Sequence, residues 1–410
     1  MDFIKINADL HLHGLYSAAV SHDMVPNMIA KQAPYKGLNL LGTADILNGR
    51  WIKLIKEQLK INNGFLEHEN GTKFVLQTEI EDNNRVHHII LFPEFSKVEE
   101  VREAFKKNCK NLDTEGRPKI WLNGEQIAEI CVKADCLLGF SHGFTPYFSL
   151  YSKYNSYKQC YGKYWDKIHF MELGLSADTN MADRISELHE LTFTSNSDAH
   201  SPWPNKMGRE FNELLVKEIN FDELSKALQR KDGRKCALNV KFNPLEGKYH
   251  KTRCTGCLTF FEPEEAIKLN WRCPKCGKPI KKGADYRIHE LADLPIGKHP
   301  EHRPKCVHII PLSEIIALSM NIKNAWSEKV QNEWKRFIDK FGTEIKVLLE
   351  VDINELSKLD ENIAKYIKYF REEKINYIPG GAGVYGKLLK PGEEVKQEKY
   401  SPSQKSLTEF

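Results

Sequence analysis

Of seven short apolar runs in the first 200 residues nearly every one ends in an acid or an imidazole, and that regularity limits the folds open to the chain. The runs are 3–9, 38–44, 73–80, 85–92, 136–142, 168–173 and 192–198. At their ends stand His11 and His13, Asp45, Glu79, His87 and His88, His142, Glu172, and Asp198 with His200. Helical patterns such as 97–108, 123–134 and 180–190 fall between most of them. Strands alternating with helices predict a parallel α/β architecture. In an α/β barrel the active site lies at the C-terminal ends of the strands, so these side chains converge on one rim. Only about four residues separate the third and fourth runs. That is too short for a crossover helix, so the pair is expected to be an antiparallel hairpin and the barrel distorted.

The residue types name the chemistry. In His11-x-His13 both imidazoles face the same way, because side chains on a strand alternate with period two. Asp9 shares that face and can orient a ligand from behind. Asp198-x-His200 repeats the spacing on the last run. Imidazole and carboxylate donors suit Zn, Mn or Fe rather than Ca. Two ions bridged by a carboxylate form a clamp for phosphoryl-transfer hydrolysis.

Beyond residue 240 the character changes. Residues 241–310 hold 14 Lys and Arg against 8 Asp and Glu, although the whole chain of 410 residues carries only +4. Within them, Cys254-x-x-Cys257 and Cys273-x-x-Cys276 have the spacing of a closed, structural four-cysteine zinc site. Lys251, Arg253, Arg272 and Lys275 around it are candidates for contact with a nucleic-acid backbone. The other six cysteines show no pairing pattern, as expected of an intracellular protein. Residues 312–375 are helical, with long periodic stretches at 325–341 and 354–373. The glycine-rich segment 379–387 ends in Lys387, a further candidate for backbone contact. The expected organisation is a barrel at 1–240, a basic four-cysteine domain at 241–310, a helical DNA-binding region at 311–392 and a flexible tail at 393–410. No run reaches the roughly 18 apolar residues of a membrane span, and the N-terminus has no signal-peptide pattern. A cytoplasmic monomer is expected.

Five motifs carry a family resemblance: DLHLH (9–13), TEI (78–80), VHHIILF (86–92), FSHGFTP (140–146) and SDAH (197–200). They resemble those of the PHP (polymerase and histidinol phosphatase) metal-dependent phosphoesterases. The resemblance implies a distorted (β/α)7, TIM-like barrel. It implies that His11, His13, Glu79 and Asp198 hold one metal and that Glu79, His87 and His142 hold a second, with Glu79 bridging and His88 competing with His87. At a third position His200 is kept, but Ala18 or Ala19 and Ile46 stand where ligands are usual. Asp45, His22 or Asp23 would have to substitute. The expected cofactors are therefore a structural Zn and two or three active-site ions drawn from Zn, Mn or Mg.

Longer stretches, SHGFTPYFSLY (141–151), MELGLSAD (171–178), SNSDAHSP (195–202) and MGRE (207–210), followed by the four cysteines, resemble the archaeal endonuclease Q family of DNA-repair enzymes. That resemblance implies hydrolysis 5′ of deaminated bases (uracil, hypoxanthine, xanthine) and abasic sites, leaving a 3′-hydroxyl and a 5′-phosphate. Asp198, His200 and Glu79 are the catalytic candidates, and His200, if free of a third metal, could protonate the leaving 3′-oxygen. The competing readings are a phosphatase of small phosphomonoesters and an inactive DNA- or clamp-binding scaffold.

Two further features concern partners. Tyr147, Tyr151, Tyr154, Tyr157, Tyr161 and Tyr164 recur at three- and four-residue steps, the spacing of one helix face. That face serves either packing or base stacking, and Tyr16 is a candidate wedge. The tail, with Gln404, Leu407 and Phe410, resembles a sliding-clamp (PCNA) binding peptide.

Overall fold

The computed structural model describes residues 2–62 and 65–394. The seven sequence-predicted strands form the barrel: β1 (Ile4–Asp9), β2 (Leu40–Asp45), β3 (Lys73–Glu81), β4 (His87–Phe92), β5 (Leu137–Phe140), β6 (Phe170–Glu172) and β7 (Thr192–Thr194). They neighbour one another in sequence order. β3 and β4 pair antiparallel, as their short connection requires, and β4 pairs antiparallel with β5. The remaining barrel neighbours are parallel.

Period-two alternation sorts the strand residues into two layers. Leu40, Val75, Ile89, Leu91, Leu137 and Phe170 share one buried cluster. Their sequence neighbours Leu41, Phe74, Ile90, Phe92, Leu138 and Met171 face outward and pack in a second. The outer cluster includes Ile29, Ile55 and Ile127 of surrounding helices and continues into the C-terminal helices through Ile315, Phe337, Leu348 and Ile367.

The barrel closes through one backbone bridge and a set of side chains. A parallel bridge joins Leu12 to Ala199 beyond the ends of β1 and β7. Below it lies a seam of buried asparagines. Asn212 Nδ2 donates to the carbonyls of Ala8 and Ser195, and Asn196 Oδ1 accepts from Leu10 N. Asn239 Nδ2 reaches Phe193 O on β7. Asn212 and Asn239 come from strands that the sequence pattern did not reveal. These are β8 (Phe211–Val216), antiparallel to β1, and β9 (Lys235–Phe242), antiparallel to β8. β10 (Lys305–Ile309) runs parallel to β9. The basic segment therefore leaves and re-enters the same sheet.

Three expected helices differ. Residues 180–190 form one turn (Thr179–Ala182) and a 3-10 turn (Ser186–Glu190). The stretch 354–373 splits into Ile353–Ser357 and Glu361–Arg371, because Asp360 caps the second helix by accepting from Ile363 N. The tyrosines do not share one helix face. Their segment breaks into a 3-10 turn (Leu150–Ser152), a short helix (Tyr157–Tyr161) and a second 3-10 helix (Gly162–Lys167). Tyr151, Tyr157 and Tyr161 are buried as packing residues, while Tyr147 stays exposed.

A buried ion pair ties the C-terminal helices to the barrel. Lys36 Nζ lies 2.6 Å from Glu344 Oε1 and donates to Pro204 O. Glu344 also accepts from Leu312 N and Trp334 Nε1. Removing one partner strands a buried charge. Glu344→Gln is expected to cost roughly 3–5 kcal/mol, read as a lower midpoint of urea unfolding. Lys36→Met combined with Glu344→Leu should recover most of that loss.

Candidate metal centre

Six side chains from four segments meet at the C-terminal rim around Glu79, whose carboxylate is fully buried. Glu79 Oε1 lies 3.2 Å from His87 Nδ1, 3.2 Å from His142 Nε2 and 3.5 Å from His11 Nε2. Its Oε2 lies 3.3 Å from His13 Nε2. Asp198 Oδ1 stands 3.1 Å from His13 Nε2 and 3.9 Å from His11 Nε2. The His200 ring packs 4.6 Å from that of His13.

Strand parity explains the choice between the two adjacent histidines. Glu81 pairs with His87 and Ile80 with His88, so His87 shares the face of Glu79 and His88 the opposite one. His88 points into the outer layer, where its Nδ1 meets Tyr161 Oη at 2.8 Å.

The donors fit metal ions. His11 Nε2, His13 Nε2, Glu79 Oε1 and Asp198 Oδ1 are buried with no hydrogen-bond partner. Such orphaned atoms are costly unless a cation receives them. Three donor sets each lie within 4.8 Å: His11, His13 and Glu79; Glu79, His87 and His142; His13, Asp198 and His200. Glu79 and His13 each belong to two sets.

A second ring of contacts orients the ligands. Glu172, absent from the expected ligand set, meets His11 Nδ1 at 2.8 Å and accepts from His142 N and Asn196 Nδ2. Asp45 sits behind His13, with Oδ1 3.3 Å from His13 Nδ1, while Oδ2 accepts from Gly14 N and Ser17 Oγ. His22 and Asp23 are exposed and belong to none of the donor sets. Asp9 accepts from Ser197 N and Gly208 N, bracing the loop that carries Asp198. Arg117 places NH1 3.0 Å from Glu79 Oε2.

The electrostatics follow from this packing. Burial would raise the Glu79 pKa, but His87 and His11 hold it well below the usual range. Burial would lower that of His11, yet Glu172 and Glu79 raise it to about 9. The imidazole protons thus balance the acids, and a metal entering such a cluster displaces protons. Burial and the neighbouring His13 push the His200 pKa down. Ala44, His142 and Asp198 hold left-handed φ values of 62°, 30° and 48°, the kind of local strain that gathers at functional sites.

Above the cluster opens a cavity of about 680 Å³, lined by Arg117, Lys206, Arg209, Lys248, Tyr249 and Tyr385, with Tyr147 on its rim. Of these, only Tyr147 was among the expected candidates, as a stacking residue of the tyrosine run. Arg209 lies in the quoted MGRE motif, and Tyr385 lies in the glycine-rich segment. The glycines there serve close packing. Gly380 N donates to Leu245 O and Gly386 N to Glu246 O, and a Cβ on Gly380 would stand 2.3 Å from Gly247 O.

Cys254, Cys257, Cys273 and Cys276 bring their sulfurs together, with Cys254 and Cys276 3.4 Å apart and Cys257 and Cys273 3.5 Å apart. Of the expected backbone-contact residues, Lys251 is paired with Asp285 at 2.7 Å. Arg253 donates to Leu258 O and lies over the Phe260 ring. Arg272, Lys275 and Lys387 are exposed. Tyr16 packs edge-on against Trp51 under Arg50 and does not line the cavity. Gln404, Leu407 and Phe410 lie outside the described residues.

Residues 311–374 match the family model for the MJ0043 C-terminal domain. The chain is 48% identical over 250 residues to the uncharacterized protein MJ0043 of Methanocaldococcus jannaschii, a match covering 60% of this chain and 31% of that one. It is 30% identical over 407 residues to the uncharacterized protein YqxK of Bacillus subtilis, covering 94% and 99%. Among solved structures, the lesion-specific endonuclease PfuEndoQ of Pyrococcus furiosus superposes with a TM-score of 0.89 at 45% identity, covering 94% and 95%. An endonuclease Q complex with a 27-mer duplex bearing an abasic lesion at the active site superposes with a TM-score of 0.90 at 45% identity, covering 94% and 96%.

Fold and site together define the class, that of the metal-dependent endodeoxyribonucleases. The chain belongs to the endonuclease Q family.

Gly174, at φ 71°, abuts His142, and an added Cβ would stand 2.7 Å from the His142 Cβ. Gly174→Ala should displace that imidazole. Because small misplacements cost about 100-fold in rate, single-turnover cleavage should fall by that order, and the unfolding midpoint should also drop, since alanine is strained at that φ.

Proposed function

We propose that this protein is a DNA-repair endonuclease that hydrolyses the phosphodiester 5′ of uracil, hypoxanthine, xanthine or an abasic site, leaving a 3′-hydroxyl and a 5′-phosphate. The observation that carries this reading is the histidine–carboxylate cluster at the floor of a cavity walled by cations and tyrosines. A phosphatase of small phosphomonoesters would need only the cluster. The wall of Lys206, Arg209 and Lys248 suits a charged strand entering from outside.

His11, His13, Glu79 and Asp198 are assigned to one ion and Glu79, His87 and His142 to a second, with His200 beside Asp198 left as the ligand of any third. Bound there, divalent ions (Zn, Mn or Mg) would activate a water and neutralise charge growing on the phosphate. Arg117, Lys206 and Lys248 hold the phosphates on either side of the cut. Tyr147 and Tyr249 stack on the extruded lesion nucleotide, which an enzyme working at a paired base must first expose. His200 Nδ1 donates to Asp198 O and lies 3.8 Å from Asp198 Oδ1, and His200 shares a donor set with His13 and Asp198. We therefore assign the ring to ligation, and not to the proton transfer that the sequence suggested.

The four cysteines hold a structural zinc, a closed tetrahedral site. Arg272, Lys275 and Lys387 extend the contact with the DNA backbone. The tail residues Gln404, Leu407 and Phe410 dock on a sliding clamp, and the enzyme works as a cytoplasmic monomer. Among the described residues no helix is long and apolar enough to cross a membrane.

Labelled duplexes carrying a single lesion, with a divalent metal present, test the reading. Cutting immediately 5′ of the lesion, lost with Asp198→Asn, is expected. Equal cutting of undamaged duplex would defeat the repair assignment. Separately, Phe410→Ala should abolish retention on immobilised clamp without changing cleavage of a short duplex.

A further inference from the structure

A second group of donors lies in the outer layer behind β4, away from the cavity. Asp82 follows β3 directly, His88 stands on the outward face of β4, and Cys160 belongs to the helix Tyr157–Tyr161. All three are buried. Their donor atoms lie within 4.8 Å of one another.

Asp82 and His88 are each already held by their other polar atom. Asp82 Oδ1 accepts from Asn84 N and Val86 N, both at 2.8 Å, which fixes the carboxylate and leaves Oδ2 free. His88 Nδ1 meets Tyr161 Oη at 2.8 Å, which fixes the ring and leaves Nε2 free. Those two free atoms face each other at 3.3 Å, and both are buried without a hydrogen-bond partner. The Cys160 sulfur is pressed against the start of helix Gly124–Lys133, where a Cβ on Gly124 would stand 2.5 Å from it. One atom anchored from behind and the other presented inward is the arrangement that outer contacts give to metal ligands.

We propose that Asp82, His88 and Cys160 form a buried metal site, separate from the rim cluster and the four cysteines, that takes a borderline divalent cation such as Zn2+ through Oδ2, Nε2 and Sγ. The donor set fits that class, since thiolate, imidazole and carboxylate together suit zinc rather than Mg2+ or Ca2+. The charges also close. A carboxylate and a thiolate balance a divalent cation, so the filled site is neutral in an apolar layer where a lone carboxylate is unfavourable. It pins the tyrosine-bearing segment 150–167 to the hairpin that carries Glu79 and His87.

Crystals of the full chain grown with zinc provide the test, through anomalous difference maps on either side of the zinc edge. A peak bounded by Asp82, His88 and Cys160 is expected. Its absence while the four-cysteine site in the same crystal is filled would overturn the proposal, and Asp82 and His88 would then be an imidazolium–carboxylate pair. A second measurement does not need crystals. Zinc bound per chain, read by native mass spectrometry, should fall by one in Cys160→Ser relative to the unaltered protein. An unchanged count in a folded variant would also overturn it.

Discussion

Burying the Glu79 carboxylate is the constraint on which the rest of the site depends. A charged group without solvent needs counter-charge at short range. Here four imidazoles reach it within 3.5 Å, and Arg117 stands at 3.0 Å. Those imidazoles come from β1, β4 and β5 or the residues that follow them, so the acid can be satisfied only when the barrel is assembled. The antiparallel hairpin of β3 and β4 makes the arrangement possible. Cross-strand register sets Glu79 and His87 on one face as diagonal neighbours, which a parallel pair with a helical crossover would not do.

Much of this was legible in the sequence because it rests on period and spacing. The polar ends of the seven apolar runs located the rim, and a four-residue connection located the hairpin. The C-x-x-C pairs located the sulfur cluster. What stayed hidden depends on contacts between distant segments. The asparagine seam that closes the barrel uses Asn196, Asn212 and Asn239, and no local pattern distinguishes an asparagine that bridges strands from one in a turn. Glu172 ends its run like the other acids, and only the fold shows that it grips His11 from behind. Asp45 has the same signature and lies behind His13. The tyrosine spacing was helical, but Gly162 and the bends around it break the segment, so shared spacing did not become a shared face.

Charge concentration was an incomplete guide to the binding surface. The basic segment 241–310 spends part of its charge internally, with Lys251 on Asp285 and Lys282 on Glu290. Lys281 lies 3.8 Å from the Tyr147 ring, which joins the four-cysteine region to the cavity rim. The cations that face the cavity come from three separate places: Arg117, the Lys206 to Arg209 stretch, and Lys248. The glycine-rich segment contributes through Tyr385. Its glycines let the loop lie flat on residues 245–251, and that close contact brings the tyrosine beside Arg209 and Lys248.

The central claim is that adjacent ions share Glu79. Electron paramagnetic resonance of the protein titrated with Mn2+ addresses it most directly, because the oxygen- and nitrogen-rich rim accepts that ion while the four-thiolate site disfavours it. The account requires the spectrum of exchange-coupled Mn2+ once two equivalents are bound, with the coupling lost in Glu79→Gln. A spectrum of isolated, uncoupled ions at every loading would contradict it.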